Sequence, residues 1–142
     1  MKTLYTAHVT TTAGRDGRSQ SDDKVIDLKQ SRPGASDGGT NPEQLFAAGY
    51  SACFGSALAN VAKSKKIDLR EVKVTADVSL HQDDDNGFYL SAVLNVELAG
   101  VDDATAQELT DMAHTVCPYS KATRGNIDVT LTAKGNGKQA AA

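Results

Sequence analysis

Two stretches of alternating side chains, separated only by a polar turn, constrain this chain more than any other feature. Val72, Val74, Ala76, Val78 and Leu80 alternate with Lys73, Thr75, Asp77, Ser79 and His81, and Phe88, Leu90, Ala92, Leu94, Val96 and Leu98 repeat the pattern. Successive strand residues point to opposite faces, so a period of two with one wet side predicts two long strands that each bury one face. Between them lies QDDDNG, in which Asn86-Gly87 is a hairpin signal, so the strands are expected to pair antiparallel. The acidic run is expected at the solvated loop tip. It does not read as a calcium loop, because position twelve counted from Asp83 is Leu94 rather than a glutamate.

The remaining elements must cover the buried face of that hairpin. Thr3 to Thr12 is rich in Thr, Val and Tyr and reads as an opening strand, followed by a turn in GRDGR; Val25, Ile26 and Leu28 read as a further short strand. Ser31 to Thr40 carries Pro33, Gly34, Gly38 and Gly39 and is expected as a loop leading into a helix. At the start of that helix Asn41 can cap, Pro42 suits the first helical position, and Gln44 stands where a capping box would put it; the helix is expected to run to about Lys66. Asp102 or Asp103 can cap a second helix, in which Leu109, Met112, Ala113 and Val116 share one face, and Pro118 should end or kink it. Ile127, Val129, Leu131 and Ala133 make a last strand. The order predicts an α+β fold with antiparallel pairing, two main helices on one face of the sheet, a single domain over residues 1–134 and a flexible tail over 135–142.

Composition removes several classes of function. Fifteen Lys and Arg against 18 Asp and Glu leave a net charge of −3, too balanced for a nucleic-acid-binding surface or attraction to an anionic membrane. Leu45 to Ala62 has no formal charge over 18 residues, close to membrane-spanning length, but its Gly, Ser, Ala and Asn content followed by Lys63, Lys65 and Lys66 suits a helix packed closely inside a soluble protein. The first dozen residues contain no apolar run of signal-peptide length, and a cytoplasmic location is expected.

The chemistry centres on two cysteines, Cys53 and Cys117, 64 positions apart. Buried small side chains are their commonest fate, and a structural disulfide between them, which could contribute about 4 kcal/mol, is disfavoured in a reducing cytoplasm. A redox pair is the remaining reading. Zinc lacks its usual paired ligand spacing, although His114 precedes Cys117 by three and His8 and His81 occur elsewhere; His114 is expected as a solvated or capping side chain. A reactive thiol needs a helix N-terminus or a cation beside it. Cys53 lies some ~18 Å from the start of its helix, beyond the reach of the helix dipole, so the cation must come from another segment, with Arg15, Arg18 and Arg124 as candidates. Glu43, in the first turn of the helix, is about 15 Å from Cys53 along the axis and could act at a Cys53 site only from a second subunit.

NPEQLFAAGYSACF (41–54) and VCPYSKATRGNIDV (116–129), with LYTAHVTTTAGRDG (4–17) ahead of them, closely resemble the organic hydroperoxide resistance family within the Ohr/OsmC superfamily, over essentially the whole chain. The resemblance implies an OsmC-like fold, an intertwined homodimer with two sites at the interface, and a thiol peroxidase that reduces organic hydroperoxides to alcohols. Carried over by motif position, Cys53 would be the peroxidatic thiolate, Cys117 the resolving thiol, Arg15 the residue that activates the thiolate and Glu43 the residue that orients Arg15. Phe46, Tyr50 and Phe54, with Leu45, are expected to give an apolar wall for substrate, although core packing is the ordinary role of such side chains. No bound cofactor or metal is implied; a dihydrolipoyl group on a lipoylated protein is the external reductant. Lys121 departs from the smaller polar residue expected at its place. The alternatives are the osmotically inducible peroxidase subgroup, a non-catalytic dithiol redox sensor, and a carrier of small apolar ligands.

Overall fold

A computed structural model describes residues 1–85 and 87–137. Its internal contacts divide the chain into two compact units, 1–45 and 46–142. In the first unit β1 (Val9–Thr12), β2 (Arg18–Ser21) and β3 (Asp27–Lys29) form an antiparallel sheet in sequence order, and a short 3-10 turn at Gly14–Asp16 joins β1 to β2. The opening strand is shorter than its Thr3 to Thr12 pattern predicts, because β2 offers only four residues to pair with. Val25 and Ile26 likewise belong to the turn before β3. Asp23 accepts the Val25 N–H at 3.0 Å and the Ser21 hydroxyl accepts that of Ile26 at 2.9 Å, so local side-chain bonds replace the ladder there. None of this unit's large apolar side chains is buried among the described residues; the buried ones are Ser19, Ser21, Gln30 and Ser31.

The long helix α1 (Pro42–Ser64) starts as expected, with Asn41 Oδ1 accepting the Gln44 N–H at 2.8 Å. The expected capping box is not closed: Gln44 Oε1 accepts from the Thr40 hydroxyl instead. The helix stops at Ser64, two residues early, where Ile67 N–H returns to the Ala62 carbonyl and Lys66 turns left-handed at φ 58°. By length and composition α1 could cross a bilayer; in this fold Tyr50, Phe54, Leu58 and Val61 form a face buried in the core of the second unit.

That unit is built on β4 (Glu71–Gln82) and β5 (Phe88–Ala99), paired antiparallel with Val72 opposite Leu98 and Gln82 opposite Phe88. The register puts Leu94, Val96 and Leu98 into the core together with α1 and with Ala106, Leu109 and Ala113 of α2 (Asp103–Val116). Asp102 is the cap of α2, accepting the Thr105 N–H at 2.8 Å. Pro118 ends that helix and begins another, α3 (Pro118–Thr123), with Cys117 as the hinge between them. The loop tip keeps its polar character, with Asp83 Oδ1 accepting the N–H groups of Asp85 and Gly87; Asn86 lies outside the described residues.

Two further expectations need correction. The last strand, β6 (Val129–Asn136), pairs parallel to β5, because α2 and α3 carry the chain back to the end at which β5 began. The sheet β4-β5-β6 is therefore mixed. Nor does a tail begin at 135: Gly135 and Asn136 pair with Leu98 and Ala99. A Cβ on Gly135 would collide with the Asp102 carbonyl, so glycine here permits close backbone approach. Residues 138–142 lie outside the described residues.

Candidate active site

The two cysteines, 64 positions apart in the chain, come together. Cys53 lies mid-way along α1 and Cys117 at the α2–α3 corner, with the Cys117 thiol donating to Cys53 Sγ at 3.6 Å. Both are free. A disulfide needs about 2 Å between sulfurs, so the bond lies one small side-chain movement away. Their exposure differs: Cys117 is fully buried, whereas Cys53 is only partly so. Burial pushes the Cys53 thiol above its ordinary pKa, and the Tyr119 backbone N–H acts in the opposite direction. Within its own unit, then, Cys53 is accessible but not activated.

Arg15 and Glu43 are joined within the first unit by a two-pronged ion pair, Nη1 to Oε2 at 2.9 Å and Nη2 to Oε1 at 2.6 Å. The hydrogen bonds from Arg15 hold the Glu43 carboxyl below the usual range, and the same bonds raise Arg15. Planar fork meets planar carboxylate, so the pair fixes the guanidinium plane as well as its charge. The other cation candidates are engaged elsewhere. Arg18 Nε donates to Asp27 at 2.6 Å, and the Arg124 guanidinium donates to the His114 carbonyl.

The expected apolar wall divides. Tyr50 and Phe54 are fully buried core side chains, while Phe46 keeps accessible surface and packs edge-on against Tyr50 and Tyr119, with ring centroids 6.1 and 6.0 Å apart. Leu45, at the end of the first unit, is half-buried. Phe46 and Tyr119 open onto a groove of about 590 Å³ with Phe88, Leu90, Pro118 and Ile127 among its other walls. Tyr119 thus lines the groove with its ring while its backbone faces Cys53. Its hydroxyl comes so close to α1 that a Cβ on Gly49 would lie 2.5 Å from it.

Sequence reasoning missed the polar side chains beside the thiols. His114 is not a solvated or capping residue: its Nδ1 lies 2.8 Å from the hydroxyl of buried Ser120, which lies 2.8 Å from that of Tyr50. Tyr119, Ser120 and Thr123 fall in the same CPYS-KAT stretch as Cys117, and that adjacency was the available signal.

The chain matches the family model described as OsmC-like protein over residues 34–132. It is 53% identical over 136 residues to the organic hydroperoxide resistance protein of Xanthomonas axonopodis pv. citri, covering 92% of this chain and 95% of that one. It is 50% identical over 135 residues to OhrB of Bacillus subtilis, covering 92% and 98%. The OhrB crystal structure superposes with a TM-score of 0.87 over 92% of this chain and 98% of its own. An organic hydroperoxide resistance protein from Elizabethkingia anophelis, 51% identical, superposes at 0.89 over 96% and 100%.

Proposed function

The chain belongs to the OsmC-like family and, within it, to the organic hydroperoxide resistance proteins, and from that premise we propose that it is a cysteine-based peroxidase that reduces alkyl or fatty-acid hydroperoxides to alcohols. The observation that carries this reading is the pair of free thiols held 3.6 Å apart, one accessible and one buried. The Cys53 thiolate attacks the outer oxygen of the hydroperoxide; the O–O bond breaks, the alcohol leaves with a proton, and Cys53 becomes a sulfenic acid. The Cys117 sulfur then displaces hydroxide from Cys53, forming the disulfide and releasing water with the Cys117 proton.

Arg15 supplies what Cys53 lacks. A guanidinium held flat by Glu43 lowers the thiol pKa and meets the negative charge that develops on the peroxide oxygens. Glu43 and Cys53 are ten positions apart on one helix, so the Arg15–Glu43 pair serves the Cys53 of a second copy in a homodimer. The exposure of Leu4, Tyr5 and Val25 in the first unit supports that assembly. The groove walled by Phe46 and Tyr119 takes the apolar tail of the substrate, with Tyr50 and Phe54 backing that wall from the core; hydrogen peroxide has no tail to place there. No resident cofactor or metal takes part. The disulfide is reopened by a dihydrolipoyl dithiol of a lipoylated protein through thiol–disulfide exchange, in the reducing cytoplasm.

Intact-mass analysis after one equivalent of cumene hydroperoxide tests the chemistry. The wild type should lose two hydrogens, Cys117→Ser should gain oxygen at Cys53, and Cys53→Ser should be unchanged. Oxidation that persists in Cys53→Ser would overturn the assignment.

A further inference from the structure

A second contact between the same helices lies one turn from the two thiols. Tyr50 precedes Cys53 by three residues on α1, and Ser120 follows Cys117 by three, so each shares a helix face with its cysteine. Their hydroxyls lie 2.8 Å apart. Ser120 Oγ is also 2.8 Å from Nδ1 of His114, the residue three before Cys117, which closes a bridge across the α2–α3 corner with Cys117 inside it. The Tyr50 hydroxyl reaches Thr123 Oγ1 at 3.1 Å, and Thr123 Oγ1 donates to the Ser120 carbonyl at 3.1 Å. Tyr50 and Ser120 are fully buried and Thr123 is 4% exposed, so each hydroxyl must find its partners inside the protein.

Counting protons gives the chain a direction. Thr123 spends its only hydroxyl proton on the Ser120 carbonyl and must accept from Tyr50. Tyr50 therefore accepts from Ser120, and Ser120 accepts from His114, which must carry its proton on Nδ1. The reverse direction would cost the Thr123 bond to the Ser120 carbonyl, which would then keep only the Arg124 N–H at 2.8 Å. Burial, with the charge of Arg124 adding to it, holds the His114 imidazole below its ordinary pKa, so at neutral pH this is the neutral ring in its Nδ1–H tautomer.

We infer that His114, Ser120, Tyr50 and Thr123 form a directional clasp that holds Cys117 against Cys53, and that Ser120, at its centre, is a positioning residue for attack of the Cys117 sulfur on an oxidised Cys53. The place of this step in turnover rests on the peroxidase reading; the clasp itself does not. Loss of the Ser120 hydroxyl removes the hydrogen bond that ties the corner to α1, at Tyr50, and the one that braces the corner itself, at His114.

A test that needs no peroxide uses dithiobis(nitrobenzoate). The Cys53 thiolate attacks the reagent's disulfide and expels one thionitrobenzoate; the Cys117 sulfur then attacks Cys53, expels the second thionitrobenzoate and gives its proton to solvent. In Ser120→Ala the first release should keep its wild-type rate and the second should slow by about tenfold, as expected for loss of the one buried hydrogen bond that holds the corner to α1. Ser120→Thr, which keeps the hydroxyl, should restore it. A second release at the wild-type rate in Ser120→Ala would overturn the inference. Should that variant fail to fold, Tyr50→Phe removes the same tie from the α1 side: a second release slowed relative to the first supports the clasp, and an unchanged ratio of the two rates overturns it. Failure of the peroxidase reading would register separately, as no hydroperoxide consumed by a protein whose two release phases behave as stated.

Discussion

Cys53 and Cys117 share a chemistry but not an environment, and the roles proposed for them follow that difference. Cys117 has no accessible surface, so an incoming peroxide meets Cys53 first. Burial raises the Cys53 thiol, and an external cation must reverse that. Arg15→Ala is therefore expected to move the thiolate absorbance titration of Cys53 upward and to slow its reaction with cumene hydroperoxide by about 10²–10³-fold, the usual effect of removing one donor that meets developing charge. Arg15→Lys should recover little, since an ammonium cannot make the fork to Glu43. Glu43 has its own pH signature. Its folded pKa is depressed by Arg15, so the pair stabilises the fold fully above the unfolded carboxyl value near ~4.3, and this is lost as pH falls through the lower folded value. Urea unfolding of wild type and Glu43→Gln should differ by a constant amount from pH 6 to 8, and the difference should shrink only in acid. Motif resemblance singled out these four residues as candidates in the sequence, and the structure pairs Cys53 with Cys117 and Arg15 with Glu43. The clasp was not legible, because Tyr50 and Ser120 are 70 positions apart and contacts between hydroxyls leave no periodic trace.

The β4–β5 hairpin and α1 were readable because their signals are repetitive or sit at a terminus. Alternation over two long strands permits one register, since a one-residue slip would expose the whole apolar set, and the Asn41 cap is a local bond. Errors fell where a partner decides the outcome. Residues 3–7 carry strand-like composition but pair with no strand among the described residues. β6 is parallel because of the helices that precede it, which its own sequence does not encode. Leu94, fully buried in β5, anchors this architecture. Leu94→Ala is expected to cost about 2–5 kcal/mol in denaturant unfolding. Gly49→Ala should be milder in stability, because its Cβ meets the hydroxyl and two ring carbons of the Tyr119 side chain rather than backbone, but it should displace that ring and raise KM for cumene hydroperoxide.

The first unit folds around polar side chains and leaves Leu4, Tyr5 and Val25 each more than 80% exposed, an arrangement that suits a segment covered by a second copy of the chain. Light scattering should give a dimer, and replacing these three residues with serine should shift it toward monomer and lower peroxidase activity in parallel, since a lone chain cannot present Arg15 to a partner's thiolate. A monomer with full activity would remove the shared-site reading. The central claim, a peroxidase that cycles on organic hydroperoxides, is tested most directly by following cumene hydroperoxide consumption with excess dihydrolipoamide, beside Cys53→Ser and with hydrogen peroxide as the competing substrate. The account predicts many turnovers per chain, none in Cys53→Ser, and much slower consumption of hydrogen peroxide. A single stoichiometric burst that dihydrolipoamide cannot renew would contradict it and mark the thiol pair as a sensor.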